Sequence, residues 1–130
     1  MYYHEWKTYK DGPFDIKISY GPELEPVADF FDDTVSDVKE MERKLERGEA
    51  VHFIAKVEAF YNGHEVGSTS LGSNYYESPT YEEDALEEGL GGYLDDMIDE
   101  VKEQAFKEIA LLKNSIMKDF TQDSLETVSG

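Results

Sequence analysis

From Val51 to Ala59, alternate positions carry Val51, Phe53, Ala55, Val57 and Ala59, with His52, Ile54, Lys56 and Glu58 between them. A period of two predicts a strand with one face in a core. Asn62-Gly63 follows, and both residues tolerate the positive φ of a type I′ hairpin turn. A return strand is expected from His64 to about Leu71. That turn sets Ala59 opposite Val66, Val57 opposite Ser68 and Ala55 opposite Ser70. The small residues on this strand imply a helix packed closely over it.

Upstream, Phe14, Ile16 and Ile18 alternate with Asp15, Lys17 and Ser19, which predicts another half-buried strand. Tyr2, Tyr3, Trp6 and Tyr9 precede it and read as core or edge packing. Asp11-Gly12 suits a hairpin, but Pro13 argues against a two-residue turn. Residues 21–33 read as a loop broken by Pro22 and Pro26, with Phe30-Phe31 anchoring it to the core. A helix is expected near Thr34, where Thr34 and Asp37 resemble a capping box. Val35, Val38, Met41 and Leu45 would form its buried stripe, and Gly48 its C-terminal cap.

Residues 72–80 read as a loop. Tyr81–Glu88 read as a short acidic helix capped by Thr80 and Glu83. Gly89, Gly91 and Gly92 read as a break or hinge. A long helix from about Tyr93 to Phe120 carries Leu94, Ile98, Val101, Ala105, Ile109, Leu112 and Ile116 at spacings of three and four. Core packing is the expected use of that stripe, with homodimerisation as the alternative for its C-terminal half. The set predicts an α+β fold: a small antiparallel sheet of three or four strands, a short helix and a long C-terminal helix. One domain is expected over residues 1–120, with a flexible tail at 121–130.

Charge changes this picture from a fold to a surface. The chain of 130 residues holds 30 Asp and Glu against 12 Lys and Arg, a net charge of −18. Between Glu77 and Glu103 the carboxylates are Glu77, Glu82, Glu83, Asp84, Glu87, Glu88, Asp95, Asp96, Asp99, Glu100 and Glu103, against Lys102 alone. A second acidic stretch includes Asp29, Asp32 and Asp33. The helix dipole explains acids only in a first turn. Asp99, Glu100 and Glu103 lie beyond that turn, and like charges at i, i+4 cost roughly 0.2–0.5 kcal/mol per pair. Their rungs repeat about every 5–6 Å, close to the spacing of phosphates along a nucleic-acid strand. The plain alternative is a solvated face that aids solubility. Halophilic adaptation fits less well, because the acids are clustered and Lys number ten.

The other chemistry is sparse. There is no Cys, so disulfides and thiolate zinc sites are excluded. His4, His52 and His64 lack ligand spacing, and no EF-hand loop is present. Ser68, Ser70 and Ser73 have no nucleophile-elbow context. Gly89, Gly91 and Gly92 follow no strand, so they form no dinucleotide fingerprint. Neither an enzyme nor a cofactor is expected. Direct binding to nucleic acid or an anionic membrane is disfavoured by charge. The N-terminus has no apolar core of a signal peptide, so the expected compartment is the cytoplasm.

The strand Val51-His-Phe-Ile-Ala-Lys-Val-Glu-Ala-Phe60, the Asn-Gly turn, Val66-Gly-Ser-Thr-Ser-Leu-Gly72 and the acidic helix beyond resemble small acidic uncharacterised proteins of bacteriophages. The resemblance covers about half the chain and brings no catalytic residues. Such proteins are similar in kind to inhibitors of restriction enzymes, CRISPR effectors and uracil-DNA glycosylase, several of which mimic DNA. The resemblance implies an anti-defence inhibitor in the cytosol of a host cell, with a basic nucleic-acid-binding protein as partner. The residues expected to carry it are Asp95, Asp96, Asp99, Glu100 and Glu103, with Glu82, Glu83, Asp84, Glu87, Glu88, Asp32 and Asp33. The second reading is a structural or accessory interaction domain, homodimeric through the long helix, whose acidity serves solubility.

Overall fold

The computed structural model describes residues 2–32 and 37–129, those from 119 onward as backbone. Four strands form one antiparallel sheet in the order β1 (His4–Asp11), β2 (Phe14–Pro22), β3 (Val51–Tyr61) and β4 (His64–Tyr76). Helix α1 spans Val38–Glu46, α2 spans Glu82–Glu87, and α3 spans Tyr93–Ser129. This is the α+β arrangement the periodicities imply.

The core lies on one face of the sheet, here the inner face. Phe14, Ile16, Ile18, Phe53, Ala55, Val57 and Ala59 project from β2 and β3 against Ala85, Leu86, Leu90, Leu94, Met97, Val101 and Ala105. Helix α3 lies over β3 and β4. The smallness of β4 has the expected cause. A Cβ on Gly67 would stand 2.5 Å from the Val101 carbonyl oxygen, so only glycine lets the helix backbone approach this closely. Gln104 Oε1 accepts the Ser68 N–H at 3.0 Å, and Glu100 Oε2 accepts from Thr69 Oγ1 at 3.1 Å. These bonds fix the helix along that strand.

Several local expectations are corrected. The β1–β2 hairpin closes on two residues, Gly12-Pro13, with Asp11 paired to Phe14. Gly12 takes φ 60, and the fixed φ of proline, about −65°, suits the second turn position. Strand β2 runs on through Gly21 and Pro22. The β3–β4 register is shifted from the one expected: Ala59 pairs with Gly67, Val57 with Thr69 and Ala55 with Leu71. Val66 is an extra residue between two ladder pairs, a bulge that moves everything beyond it by one. A second irregularity lies at Gly72-Ser73, and β4 continues past it to Tyr76 where a loop was expected.

Helix α1 starts at Val38. Asp37 caps it by accepting the Glu40 N–H at 3.1 Å, while Thr34, Val35 and Asp33 lie outside the described residues. Helix α2 has Tyr81 at its N-cap and no side-chain cap bond, so the expected Thr80–Glu83 box is absent. Gly89 and Gly91 do break the helices, at φ 80 and 67. Helix α3 continues to Ser129, where a tail was expected. Its core stripe is Leu94, Met97, Val101 and Ala105, with Ile98 and Ile109 half-buried. Leu112 and Ile116, expected in the core, are exposed because the sheet ends before they are reached.

Val27, Val38 and Met41 form a second, smaller cluster with Phe31, Leu45 and Tyr75. Tyr75 neighbours the core residue Tyr76 along β4, so this cluster lies on the opposite, outer face of the sheet. Phe31 anchors the loop there, whereas Phe30 is exposed and touches the His52 ring edge-on.

Also on the outer face, Glu58 of β3 and Glu65 of β4 are diagonal neighbours. A carboxyl–carboxyl hydrogen bond to Glu58 is the largest cause raising the Glu65 pKa, followed by burial and Coulomb repulsion. A raised acid favours folding while protonated, and that contribution is lost as pH rises through its folded-state value. Glu65→Gln keeps a donor toward Glu58 and removes the repulsion. It should raise the neutral-pH melting temperature by about 1–3 °C and lose that gain in acid, as read by thermal scans at the two pH values.

Candidate acidic interaction surface

The acidic surface is built by two short stretches of helix on the inner side of the sheet. Leu94, Met97 and Val101 pull one face of α3 into the core. At 3.6 residues per turn, the residues between them must then face water. Asp95, Asp96, Asp99, Glu100 and Glu103 are all exposed. Ala85 and Leu86 bury α2 in the same way and leave Glu83, Asp84, Glu87 and Glu88 exposed, with Glu82 half-buried. Asp95 and Glu103 are eight residues apart, a run of about 12 Å.

Cations hardly enter this set. Lys107 pairs with Glu103 at 3.0 Å, and Lys44 pairs with Glu77 at 2.9 Å. Lys102 turns away to Asp11 at 3.1 Å. Among the described residues no other carboxylate between Glu77 and Glu103 has a cation within ion-pair distance.

Three members have hydrogen-bonding roles the sequence did not show. Glu100 receives Thr69, as above, and also accepts from Gln104 Nε2 at 3.3 Å. Glu83 accepts from the Tyr20 hydroxyl at 3.3 Å. Glu88 accepts from the Tyr81 hydroxyl at 2.6 Å. Asp95, Asp96 and Asp99 project from the helix with no such side-chain bond among the described residues. Asp32, of the second acidic stretch, lines a hollow with Phe31 and Val38 of the smaller cluster. Asp33 lies outside the described residues.

The tyrosines around the acids are made harder to ionise. The Tyr81 pKa is pushed up to about 12, first by its bond to Glu88 and then by burial. Tyr9, Tyr20 and Tyr76 are also raised, each first by burial, with added repulsion from Asp11 and Asp95, from Glu83 and Glu82, and from Glu88 respectively. A phenol whose folded-state pKa is raised stabilises the fold below its unfolded value, 10.0, and loses that contribution as pH climbs through the folded value. Absorbance titration should therefore show Tyr81 ionising near pH 12, and Glu88→Gln should bring that step down.

The outer face holds a polar cluster that the sequence did not expose. Ser73 takes φ 56 at the β4 bulge. Its Oγ lies 3.0 Å from His52 Nε2, and its N–H donates to Glu23 Oε2 at 2.9 Å. Burial lowers the His52 pKa and Glu23 partly opposes it. Glu23 also accepts the Glu25 N–H at 3.2 Å, so the cluster ties the 22–26 loop to the bulge. The only sequence signal was the Gly72-Ser73-Asn74 run. Among the described residues, no group of three or more His, Cys, Asp and Glu is placed to hold a metal ion. Among the described residues, no helix is long and apolar enough to cross a membrane.

No protein-family model matches this chain, and no curated protein or solved structure is significantly similar to it. The functional reading therefore rests on the surface itself.

Proposed function

We propose that this protein is an inhibitor that occupies the basic nucleic-acid-binding groove of a host protein by presenting a DNA-like row of charge. The observation that carries the reading is the run Asp95, Asp96, Asp99 and Glu103 on a helix held rigidly to the sheet. These carboxylates are exposed, and among the described residues only Glu103 has a cation partner. A solvated face needs charge but not a fixed ladder. Here Gly67 and the Ser68–Gln104 and Thr69–Glu100 bonds hold the ladder to the domain. A rigid row loses little conformational entropy when it binds. The partner's Lys and Arg release counterions much as on DNA, so binding weakens with salt.

The chemistry is binding and needs no cofactor. Fitting targets are nucleases, CRISPR effectors or restriction enzymes of a host cytosol. Electrophoretic displacement tests it: labelled duplex bound to a panel of such proteins is titrated with this chain. Release of duplex from at least one member, weakening with salt, supports the reading. Retention of duplex by every member counts against it.

The second reading is an accessory interaction domain whose acidity serves solubility. The apolar half of α3 that lies outside the core favours some role in association.

A further inference from the structure

The inner face of the sheet is only half covered. Because α3 lies over β3 and β4, an open groove of about 390 Å³ runs between α3, α2 and the inner face of β1. Its floor is apolar: Trp6 and Tyr9 of β1 are half-buried beside Ile18, Leu94 and Ile98. Its rim carries Glu87, Glu88 and Asp95 with Lys7 as the one base among the lining residues, so it remains acidic on balance.

The other end of α3 is its chemical complement. Past Ile109 the helix leaves the sheet, and the buried stripe continues into solvent as Leu112 (49% exposed) and Ile116 (65%). Residues 106–118 carry Lys107, Lys113 and Lys118 against Glu108, a net +2 in a chain of −18. The arm cannot reach its own groove. Leu112 stands 17 residues beyond Asp95 on one continuous helix, about 26 Å away. A second copy can reach it. With two α3 helices antiparallel about a two-fold axis near Ala105, Leu112 and Ile116 of one copy come level with Ile98 and Leu94 of the other. Lys113 then falls within one turn of the other copy's Asp95, and the exposed Phe106 side chains meet near the axis.

We propose that the protein pairs with a second copy of itself, each copy's basic, apolar arm lying in the acid-rimmed groove of the other. Apolar burial supplies the affinity and the Lys-to-carboxylate matches set the register. The pairing draws on Asp95 of the ladder but does not call on Asp96, Asp99 or Glu103, so the variants that test it differ from those that test the inhibitor reading.

Sedimentation of the full chain, with Trp6 emission followed over the same concentrations, tests the pairing. Trp6 is the single tryptophan and lines the groove. The expected result is a mass rising to twice 14.9 kDa together with a blue shift of Trp6. Leu112→Asp with Ile116→Asp should stay monomeric at every concentration. Both side chains are already exposed, so the fold should survive. Lys113→Glu should weaken the dimer by at least ~10-fold at low salt. The proposal is overturned by a monomer throughout, by a dimer that persists in the double variant, or by a dimer that leaves Trp6 emission unchanged.

Discussion

Gly67→Ala should destabilise the protein by about 1–3 kcal/mol, lowering the melting temperature by about 5–15 °C. The new Cβ would stand 2.5 Å from the Val101 carbonyl oxygen and 3.3 Å from the Val101 Cα. Those are backbone atoms of α3, so no side-chain rotation relieves the contact. The helix must lift from β4 or the strand must bend. Lifting α3 also stretches the Ser68–Gln104 and Thr69–Glu100 bonds. The total stability of a small domain is only about 5–15 kcal/mol, so the loss is a large share. Ser70→Ala, on the same strand but exposed, should change little. Urea denaturation of the two variants decides the point. A Gly67→Ala midpoint equal to wild type would mean that α3 does not seat on β4 as described.

The second large effect concerns binding without loss of fold. Reversing Asp96, Asp99 and Glu103 to Lys shifts the net charge from −18 to −12, two units at each of three positions. All three side chains are exposed. Only Glu103 gives up an ion pair, and that pair is solvent-exposed, worth little. Melting behaviour should therefore hold, or improve as repulsion along the helix falls. Affinity for a basic groove should fall ~100-fold or more, because attraction is replaced by like-charge contact. Glu100 is left in place deliberately: reversing it would remove the acceptor for Thr69 and mix a folding effect into a binding test. Unchanged affinity in the triple variant would remove the charge ladder from the account.

Much of the architecture was legible because the core uses simple periods. The alternation from Val51 to Ala59 and the Asn62-Gly63 turn located the β3–β4 hairpin, and the stripe on α3 located the covering helix. What stayed hidden came from features without a period. A bulge at Val66 adds one residue to a strand whose neighbours are small or polar, so no change in hydrophobic pattern betrays it. The same holds at Gly72-Ser73, where Asn74 rejoins the ladder opposite Phe53 while its side-chain amide donates to the Phe53 and Leu71 carbonyls. Pro13 read as an obstacle to the first hairpin, although its fixed φ fits the second turn position. Leu112 and Ile116 continue the core period and were read as core. Only the length of the sheet excludes them.

The acidic surface was legible in one dimension. Carboxylates between core positions on α3 must face water once the stripe is known. The sequence held no information on which sheet face the second acidic stretch occupies, and the fold places Asp32 beside Phe31 and Val38. Nor did it mark Glu83 and Glu100 as hydrogen-bond acceptors, because Tyr20 and Thr69 lie on other elements far along the chain, while the Tyr81–Glu88 bond spans α2 at a seven-residue spacing that the acidic run does not single out.

The most direct test of the central claim is capture from a bacterial lysate on the immobilised protein, run beside the Asp96, Asp99 and Glu103 reversal and eluted with duplex DNA. The account predicts a nucleic-acid-binding protein held by the wild-type chain, absent from the variant and released by DNA. Equal capture by both chains, or a bound protein that excess duplex does not displace, would contradict it.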